Sequence, residues 1–211
     1  MRTALISTLG FEEKFCYRAI LRHGIKEGDR IILFTAELID KVERAYDWIK
    51  RLVQSSYGDS VRVDLIQLDP TNPVKSIKKV REFLDELNEF KIIVNLSGGM
   101  RAIIIYVLLA CMMSLREDII VEVEAEDLSG LSTLDFKMLK LVKEGAKEEW
   151  LDVLKCIADG SHDVSSIARK LRKDKSTVRR QLSSLEGNGL IRVRRRKPLT
   201  VELSELSELI L

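Results

Sequence analysis

The sequence predicts an α/β protein in which a doubly wound, mainly parallel sheet precedes a small helical domain that ends in a β-hairpin. Three observations support this fold class. Apolar runs of strand length alternate with segments of helical periodicity over the first two thirds of the chain. Three short amphipathic helices follow one another after residue 143, and the basic residues concentrate in that second region.

Six strands and four helices are predicted in the first region. The strands cover residues 3–7, 30–35, 61–68, 91–96 and 119–125, with a weaker sixth at 132–137, and the helices cover residues 13–23, 38–55, 73–88 and 101–115. Such alternation implies parallel strands joined by right-handed crossovers, and a ligand crevice at the carboxyl ends of the strands. We therefore expect the loops that leave the first and fourth strands to form two walls of one pocket.

The turn after the fourth strand has the composition of a phosphate-binding site. It reads Asn95-Leu-Ser-Gly-Gly-Met-Arg101, between an apolar strand and a long apolar helix. Glycines let backbone approach a ligand closely, and a helix N-terminus offers N–H groups and a positive dipole to an anion. Arg101 in the first helical turn is unfavourable for that dipole unless an anion compensates it. The alternative is a tight turn that needs glycine for its geometry alone.

The fifth strand alternates apolar and acidic residues. Val121, Val123 and Ala125 occupy one set of positions, and Glu122, Glu124 and Glu126 occupy the other. An acidic strand face is usually solvated and near a sheet edge. Metal binding would need converging histidines or aspartates, which the pattern lacks.

The second region has the element order of a winged helix-turn-helix domain. Helical stripes at residues 150–157, 164–171 and 178–185 are followed by a hairpin at 190–203, and Asp174 is a natural N-cap for the third helix. The hairpin tip, Arg195-Arg196-Lys197-Pro198, is basic. We place the first domain at residues 1–140, a linker containing Gly145 at 141–146, and the second domain at 147–211.

The two regions of the chain differ in net charge. The whole chain has a net charge of +2, whereas residues 165–200 carry twelve basic and two acidic side chains, so this segment is +10 and the remainder is −8. A basic helix and wing in this order predict binding to double-stranded DNA at a promoter. The residues expected to contact DNA are Lys175, Ser176, Thr177, Arg179, Arg180 and Ser183 on the third helix, and Arg194, Arg195, Arg196 and Lys197 on the wing.

The cysteines and the hydropathy pattern predict a cytoplasmic protein without a cofactor. Cys16, Cys111 and Cys156 are far apart in apolar helical segments, as expected of core thiols in a reducing compartment. His23 and His162 have no ligand-like partner nearby in sequence, so no metal is expected. No apolar run has the roughly 20 residues that a bilayer span needs, so no membrane partner is expected.

With these motifs in place, the chain resembles the archaeal CRISPR-associated transcriptional regulators with a CARF (CRISPR-associated Rossmann-fold) domain. The resemblance rests on the first loop, Ser7-Thr-Leu-Gly-Phe-Glu12, on the turn that ends at Arg101, and on the C-terminal winged helix. It implies a Rossmann-like domain in a homodimer that binds a cyclic oligoadenylate, most often cyclic tetra-adenylate, across the two-fold axis. It also implies regulation of CRISPR-Cas genes in antiviral defence rather than catalysis. Carried over position by position, the ligand-binding residues are Thr8, Leu9, Gly10, Phe11, Asn95, Ser97, Gly98, Gly99, Met100 and Arg101.

Two other functions are compatible with parts of the pattern. A dinucleotide-sensing repressor would also pair a Rossmann-like domain with a winged helix, and Glu37 after the second strand could contact a ribose. The first loop contains only Gly10, however, where a dinucleotide fingerprint has three glycines. The second alternative is a ring nuclease, which would cleave the cyclic oligoadenylate without metal through a ribose 2′-hydroxyl. Ser97 and Arg101 could stabilise charge in that reaction, but neither loop supplies an evident histidine or lysine base.

Overall fold

The first part of the chain forms one six-stranded sheet in the computed structural model, which describes residues 2–114 and 116–211. The strands are β1 (Arg2–Thr8), β2 (Arg30–Thr35), β3 (Arg62–Gln67), β4 (Phe90–Asn95), β5 (Ile119–Glu124) and β6 (Leu131–Leu134). Their order is β3-β2-β1-β4-β5-β6, with β6 antiparallel to β5 and the other neighbours parallel. This is the Rossmann-like order, in which the chain reverses its direction of winding between β1 and β4. The predicted α/β fold class is confirmed.

Four helices connect the parallel strands: α1 (Lys14–His23), α2 (Asp40–Tyr57), α3 (Pro73–Glu86) and α4 (Arg101–Met113). A 3₁₀ turn, Gly58–Ser60, follows α2. Right-handed crossovers place α1 and α2 on one face of the sheet and α3 and α4 on the other. Leu33 on β2 accordingly packs in a cluster with α1 and α2, while the next residue, Phe34, meets Phe83 of α3 edge to face. The predicted end of the fourth helix, Leu115, lies outside the described residues.

The sixth strand is shorter than predicted. It covers Leu131–Leu134 instead of residues 132–137, because a further helix, α5 (Phe136–Glu144), begins two residues later. The alternation that suggested a longer strand continues into α5, where Leu139 and Leu141 are buried. Short apolar stretches fit both periodicities, and the contacts of α5 decide between them here.

The chain divides into two compact units, residues 1–136 and 137–211. The second unit contains most of α5, then α6 (Glu148–Ala158), α7 (Val164–Leu171), α8 (Lys175–Gly187), β7 (Ile191–Arg196), β8 (Leu199–Leu203) and a final 3₁₀ turn, Glu205–Leu209. Most of the segment predicted as a linker, residues 141–146, is therefore helical. Leu141 packs into the core of the second unit, and the helix stops before Gly145, which has a φ of 73°.

The second unit has its own hydrophobic core. Side chains from α6, α7 and α8 meet there, and Val153, Ile167, Val178 and Leu185 are completely buried. Val201 from β8 closes the core on the hairpin side. Three helices and a two-stranded antiparallel wing in this order form the predicted winged helix-turn-helix.

Candidate functional site

Two loops meet at the carboxyl ends of β1 and β4. We call residues 8–11 the first ligand loop and residues 97–101 the second ligand loop. The hydroxyl of Thr8 donates a hydrogen bond to the carbonyl oxygen of Gly98. Gly99 has a φ of 97°, and a Cβ atom there would lie 3.2 Å from Cβ of Thr8. The loops are therefore packed backbone against backbone, which only glycine permits at this position.

The N-terminus of α4 opens directly from the second ligand loop. Met100 occupies the N-cap position in an extended conformation, and no side chain caps the helix. The first N–H groups of the helix therefore face outward with the positive end of its dipole. Arg101 is exposed beside them and forms no ion pair within the part of the chain that the structure describes. Uncapped N–H groups and an unpaired guanidinium together suit an anion.

Two clefts adjoin the contact between the ligand loops, and both are lined in part by Gly10, Phe11 and Gly99. The first, of about 420 Å³, is mainly apolar and is completed by Ile39, Val42 and Met100 among others. The second, of about 500 Å³, is more polar and is completed by residues that include Glu12, Lys14, Ser97 and Glu126. A ligand at the loops thus meets an apolar wall on one side and charged groups on the other.

The predicted ligand residues divide by burial. Phe11 and Met100 are 62% and 49% exposed, Arg101 is also exposed, and Gly10, Ser97, Gly98 and Gly99 are partly exposed. Thr8, Leu9 and Asn95, by contrast, are almost completely buried. The side chains of Thr8 and Asn95 form hydrogen bonds with the second ligand loop, and Leu9 lines the apolar cleft.

Gly98 needs its small size for packing within the protein. A Cβ atom there would lie 3.2 Å from Cδ2 of Phe15, which is buried on α1. The glycine thus allows α1 and the second ligand loop to approach each other. From the sequence, we inferred that this glycine lets a ligand approach the backbone. The direction of its Cβ indicates instead that the glycine makes room for Phe15.

The acidic face of β5 is buried, so the predicted solvation is wrong for Glu122 and Glu124, whereas Glu126, beyond the end of the strand, is exposed. Glu122 and Glu124 are 1% and 4% exposed, whereas Val123 between them is 40% exposed. The carboxylates lie under α1, and basic side chains of that helix pair with them. Strand alternation showed that the two faces differ, but it could not show which face α1 covers.

Sequence reasoning missed two parts of the site. Lys14, in the first turn of α1, lines the polar cleft and pairs with Glu12 at 2.7 Å. Like Arg101, it is a basic residue at a helix start, where the dipole disfavours it, and this signal could have identified it. Ile39 and Val42, which line the apolar cleft, follow β2. Their position follows from the strand order, because β2 lies beside β1 and ends at the same edge of the sheet.

The second unit presents the helix-turn-helix surface. A three-residue turn joins α7 to α8, with Arg172 in the left-handed conformation and Asp174 as the N-cap of α8. Lys175, Arg179, Arg180 and Ser183 are exposed on α8. The hydroxyls of Ser176 and Thr177 instead donate hydrogen bonds to the carboxylate of Asp174. These two predicted DNA-contact residues therefore also stabilise the helix start.

The wing holds its arginines in two different ways. Arg194 pairs with Glu202 on the facing strand, and Arg196 lies 3.4 Å from Glu186 of α8. Arg195 and Lys197 are exposed and form no ion pair among the described residues. The ladder shifts register between Val193 and Arg195, so the wing carries a β-bulge at Arg194. Because a bulge adds one residue to a strand, it alters the regular alternation of the consecutive arginines between the two faces of the wing.

A Rossmann-like domain with a ligand crevice at its switch point, followed by a winged helix-turn-helix, defines the class of two-domain regulators that read DNA. Residues 3–135 match the model of the Csa3 CRISPR-associated Rossmann-like domain. The chain belongs to that family, which confirms the resemblance to CARF proteins. Residues 150–193 match the arsR family of bacterial regulatory proteins. No curated protein is significantly similar to the chain in sequence.

Three solved structures match the chain at low identity and with TM-scores below 0.5. Csm6 from Enterococcus italicus, bound to cyclic hexa-2′-fluoro-hexa-dAMP, has a TM-score of 0.47 and 15% identity, over 70% of this chain and 40% of its own. Protein VC1899 from Vibrio cholerae has a TM-score of 0.45 and 9% identity, over 96% and 62%. An O-methyltransferase family protein from Burkholderia thailandensis has a TM-score of 0.32 and 8% identity, over 96% and 52%. The chain therefore spans less than two thirds of each of these proteins.

Within residues 2–114 and 116–211, no group of three or more histidine, cysteine, aspartate or glutamate side chains could hold a metal ion. Over the same residues, no helix combines the length and apolar composition needed to cross a membrane.

Proposed function

We propose that this protein is a homodimeric transcriptional regulator of CRISPR-Cas genes that senses a cyclic oligoadenylate, with cyclic tetra-adenylate as its effector. The observation that carries the proposal is the uncapped N-terminus of α4, where Arg101 has no ion-pair partner among the described residues. Phosphodiester groups supply the negative charge that this arrangement lacks. The two adjoining clefts offer apolar and polar surface for the bases and riboses that a cyclic oligoadenylate carries with its phosphates.

The homodimer is supported by an apolar stripe on α4. Ile105, Leu109 and Met113 follow at intervals of four residues and are 52%, 39% and 49% exposed. Residues four apart lie on one helix face, so these side chains form a continuous strip that starts one turn after Arg101. A second copy of the chain is the occupant we propose for this strip. A two-fold axis beside α4 would bring two copies of Arg101 to one ring of phosphates, which itself has two-fold symmetry.

The DNA-binding half of the proposal rests on α8 and the wing. Arg179 and Arg180 stand exposed on α8, and Arg195 and Lys197 stand exposed on the wing. A recognition helix presents such side chains to base edges and phosphates in the major groove, and a wing contacts the neighbouring backbone. Two winged helices in a dimer would read two half-sites of a promoter.

The ligand is tested by calorimetry on the purified full-length protein. Cyclic tetra-adenylate, cyclic hexa-adenylate, NAD and linear tetra-adenylate are titrated separately. We expect cyclic tetra-adenylate to bind with one ring per two chains and more tightly than the other three compounds. Tightest binding of NAD would favour the dinucleotide-sensing alternative, in which Glu37 at the apolar cleft contacts the ribose. Binding of one ring per chain would contradict the shared site.

Regulation is tested by linkage between the two ligands. An effector that changes promoter affinity must itself bind more tightly or more weakly when promoter DNA is present, by the same factor. Coupling free energies of this kind are typically ~1–3 kcal/mol, or about 5-fold to 150-fold in affinity. Cyclic tetra-adenylate is therefore titrated into the protein with and without the promoter of its own CRISPR locus. Equal affinities in the two titrations would show that ligand binding does not regulate DNA binding.

Ring cleavage is the second candidate function, because Lys14 and Ser97 line the same cleft. An ammonium there could stabilise charge as a ribose 2′-hydroxyl loses its proton to water and attacks the adjacent phosphorus. The 5′-oxygen leaves and takes a proton from water, which opens the ring to a 2′,3′-cyclic phosphate and a 5′-hydroxyl. Chromatography of cyclic tetra-adenylate after incubation with the protein measures this directly. Linear product that disappears in Lys14→Ala would establish cleavage, whereas intact ring supports a sensor without catalysis.

A further inference from the structure

A buried ionic cluster lies between β5 and α1, behind the second ligand loop. We define the carboxylate cluster as Arg18, Arg22 and His23 of α1 together with Glu122 and Glu124 of β5. The two glutamate side chains are each 2% exposed, whereas glutamate is usually found at the protein surface. Burying charges is costly, and the cost is recovered only when the partners and hydrogen bonds are well placed. The proposed ligand contacts do not use any of these five residues.

The cluster fastens α1 to β5. Arg22 Nη2 donates to Oε1 of Glu122 at 2.8 Å, and His23 Nε2 lies 2.9 Å from Oε2 of the same carboxylate. Arg18 Nε donates to Oε1 of Glu124 at 2.6 Å. Since α1 begins three residues after the first ligand loop ends, these bonds also locate that loop relative to β5.

The same strand also holds the second ligand loop. The amide nitrogen of Asn95 lies 3.2 Å from Oε1 of Glu122, the oxygen that accepts from Arg22. The carbonyl oxygen of the Asn95 side chain accepts from the backbone N–H of Ser97 at 3.0 Å. The Ser97 hydroxyl oxygen in turn accepts from the backbone N–H of Glu124 at 2.8 Å. The carboxylate of Glu122 thus joins α1 to the second ligand loop.

The electrostatics agree with this geometry. Burial by itself raises the pKa of Glu122, but the hydrogen bonds and charges of His23 and Arg22 outweigh it, so the pKa lies below its ordinary value. The carboxylate is ionised at neutral pH and keeps both partners bound. Among the described residues, Oε2 of Glu124 accepts no hydrogen bond, and it lies 3.6 Å from Nη1 of Arg22. Both carboxylate oxygens of Glu122 therefore have a hydrogen-bond partner on α1, whereas only one oxygen of Glu124 has one.

We infer that Glu122 is a positioning residue for effector binding: through Arg22 and Asn95 it sets the two ligand loops in one fixed arrangement without touching the ligand. The inference rests on the proposed function, because its consequence is measured as affinity for a cyclic oligoadenylate. A cluster that only stabilised the fold would lower the melting temperature and leave the affinity of the folded protein unchanged. A positioning cluster changes the affinity of protein that is fully folded.

The principal variant is Glu122→Gln, which keeps the shape of the side chain and removes its charge. Asp64→Asn is the matched control. Asp64 accepts hydrogen bonds from Arg30 at 2.7 Å and from Arg62 at 2.6 Å. These residues lie near the amino ends of β2 and β3, at the edge of the sheet opposite the ligand loops. Affinity for cyclic tetra-adenylate is measured well below the melting temperature of each variant. We expect Glu122→Gln to weaken binding by about tenfold or more and Asp64→Asn to stay within about twofold.

A milder variant keeps the inference testable if Glu122→Gln does not fold. Arg22 donates to Glu122 and is 25% exposed at its side chain, so Arg22→Gln breaks the link between α1 and this carboxylate while His23 still contacts it. We expect a smaller loss of affinity than in Glu122→Gln, about threefold, in protein that is folded at the temperature of the measurement. Wild-type affinity in Arg22→Gln, or in any folded Glu122 variant, would overturn the inference.

A double-mutant cycle separates positioning from general destabilisation. If Asn95 acts through Glu122, Asn95→Ala combined with Glu122→Gln should lose much less affinity than the product of the two single losses. Asn95→Ala combined with Asp64→Asn should lose the product. Multiplicative losses in both cycles would overturn the inference. Failure of the wild-type protein to bind any cyclic oligoadenylate would instead overturn the proposed function, and this inference with it.

Discussion

Gly10 and Gly99 are in direct backbone contact: a Cβ atom on Gly10 would lie 3.0 Å from both N and Cα of Gly99. Real Cβ atoms rarely approach backbone so closely, so Gly10→Ala must push the two ligand loops apart. We expect the substitution to lower stability by ~1–3 kcal/mol, as for other overpacked sites, and to weaken effector binding.

Gly130→Ala is the control for this experiment. A Cβ atom on Gly130 would meet no heavy atom within 4 Å, and the backbone there is not left-handed. Its unfolding curve and ligand affinity should match those of the wild type. Wild-type ligand affinity in Gly10→Ala would show that the contact between the loops does not shape the binding site.

Arg101 should contribute to ligand affinity without contributing to folding. Its guanidinium is exposed and has no ion-pair partner among the described residues, so Arg101→Ala removes only the phosphate contact that we propose for it. A charge-assisted hydrogen bond is worth ~1.5–3 kcal/mol, so we expect affinity to fall by about 10-fold to 150-fold. Calorimetry measures the affinity and thermal unfolding measures stability. Arg51 is an exposed arginine of α2, so Arg51→Ala serves as the control. An equal loss of affinity in that variant would show that the effect comes from the net charge of the protein and not from a contact of Arg101.

Arg179 and Arg180 should account for a measurable part of DNA binding. In the double variant Arg179→Ala with Arg180→Ala, we expect weaker promoter binding and a shallower dependence of affinity on salt. Each lost phosphate contact lowers the slope of log affinity against log salt by about 0.9. Fluorescence anisotropy over a range of salt concentrations provides the slope. An unchanged slope and affinity would exclude α8 as the recognition helix.

The ion pair between Arg194 and Glu202 predicts a variant that binds DNA more tightly. Glu202→Gln removes the carboxylate that competes with DNA phosphates for the guanidinium, so affinity and salt slope should both rise. The rise should appear on unrelated duplexes as well as on the promoter, because phosphate contacts carry no sequence information. Weaker binding would show instead that Glu202 is needed to hold the wing in shape. Arg195→Ala is the complementary test and should weaken all duplexes alike.

The lowered pKa of Glu122 predicts acid sensitivity of the first unit. Because folding favours the ionised carboxylate, its contribution to stability is complete above the ordinary pKa of 4.5 and is lost as pH falls through the lower folded-state value. The free energy of unfolding of wild type minus that of Glu122→Gln should therefore shrink as the pH falls below the ordinary pKa of 4.5. Arg22 and His23 face this carboxylate, and Arg18 and Glu124 are the nearby charges.

Fluorescence of Trp48 in a Trp150→Phe background follows the first unit alone, since Trp150 belongs to the second. Urea unfolding at each pH supplies the free energies. A difference between the two proteins that stays constant over this pH range would contradict the assigned cause of the pKa shift.

Much of the fold could be predicted because its signals are local. The alternation of apolar runs and helical stripes predicted the strands from β1 to β5, the helices other than α5, and the wing, and each of these patterns spans fewer than twenty residues. Element ends were less certain where one apolar stretch fits two periodicities, as at Phe136. The turn that ends at Arg101 was also readable, because a strand, two glycines and a helix start are consecutive in sequence.

The sequence by itself determined the class of the protein, a Rossmann-like domain joined to a basic winged helix, and it predicted an anion site after β4. The tertiary structure alone decided which side chains reach that site and what supports it. Asn95 belongs to the predicted motif but is buried, and Glu122 was expected to face solvent but pairs with Arg22, 100 residues away. Periodicity reports that one face of a strand differs from the other. Only packing shows which helix covers that face, because burial and pairing depend on residues that are distant in the chain.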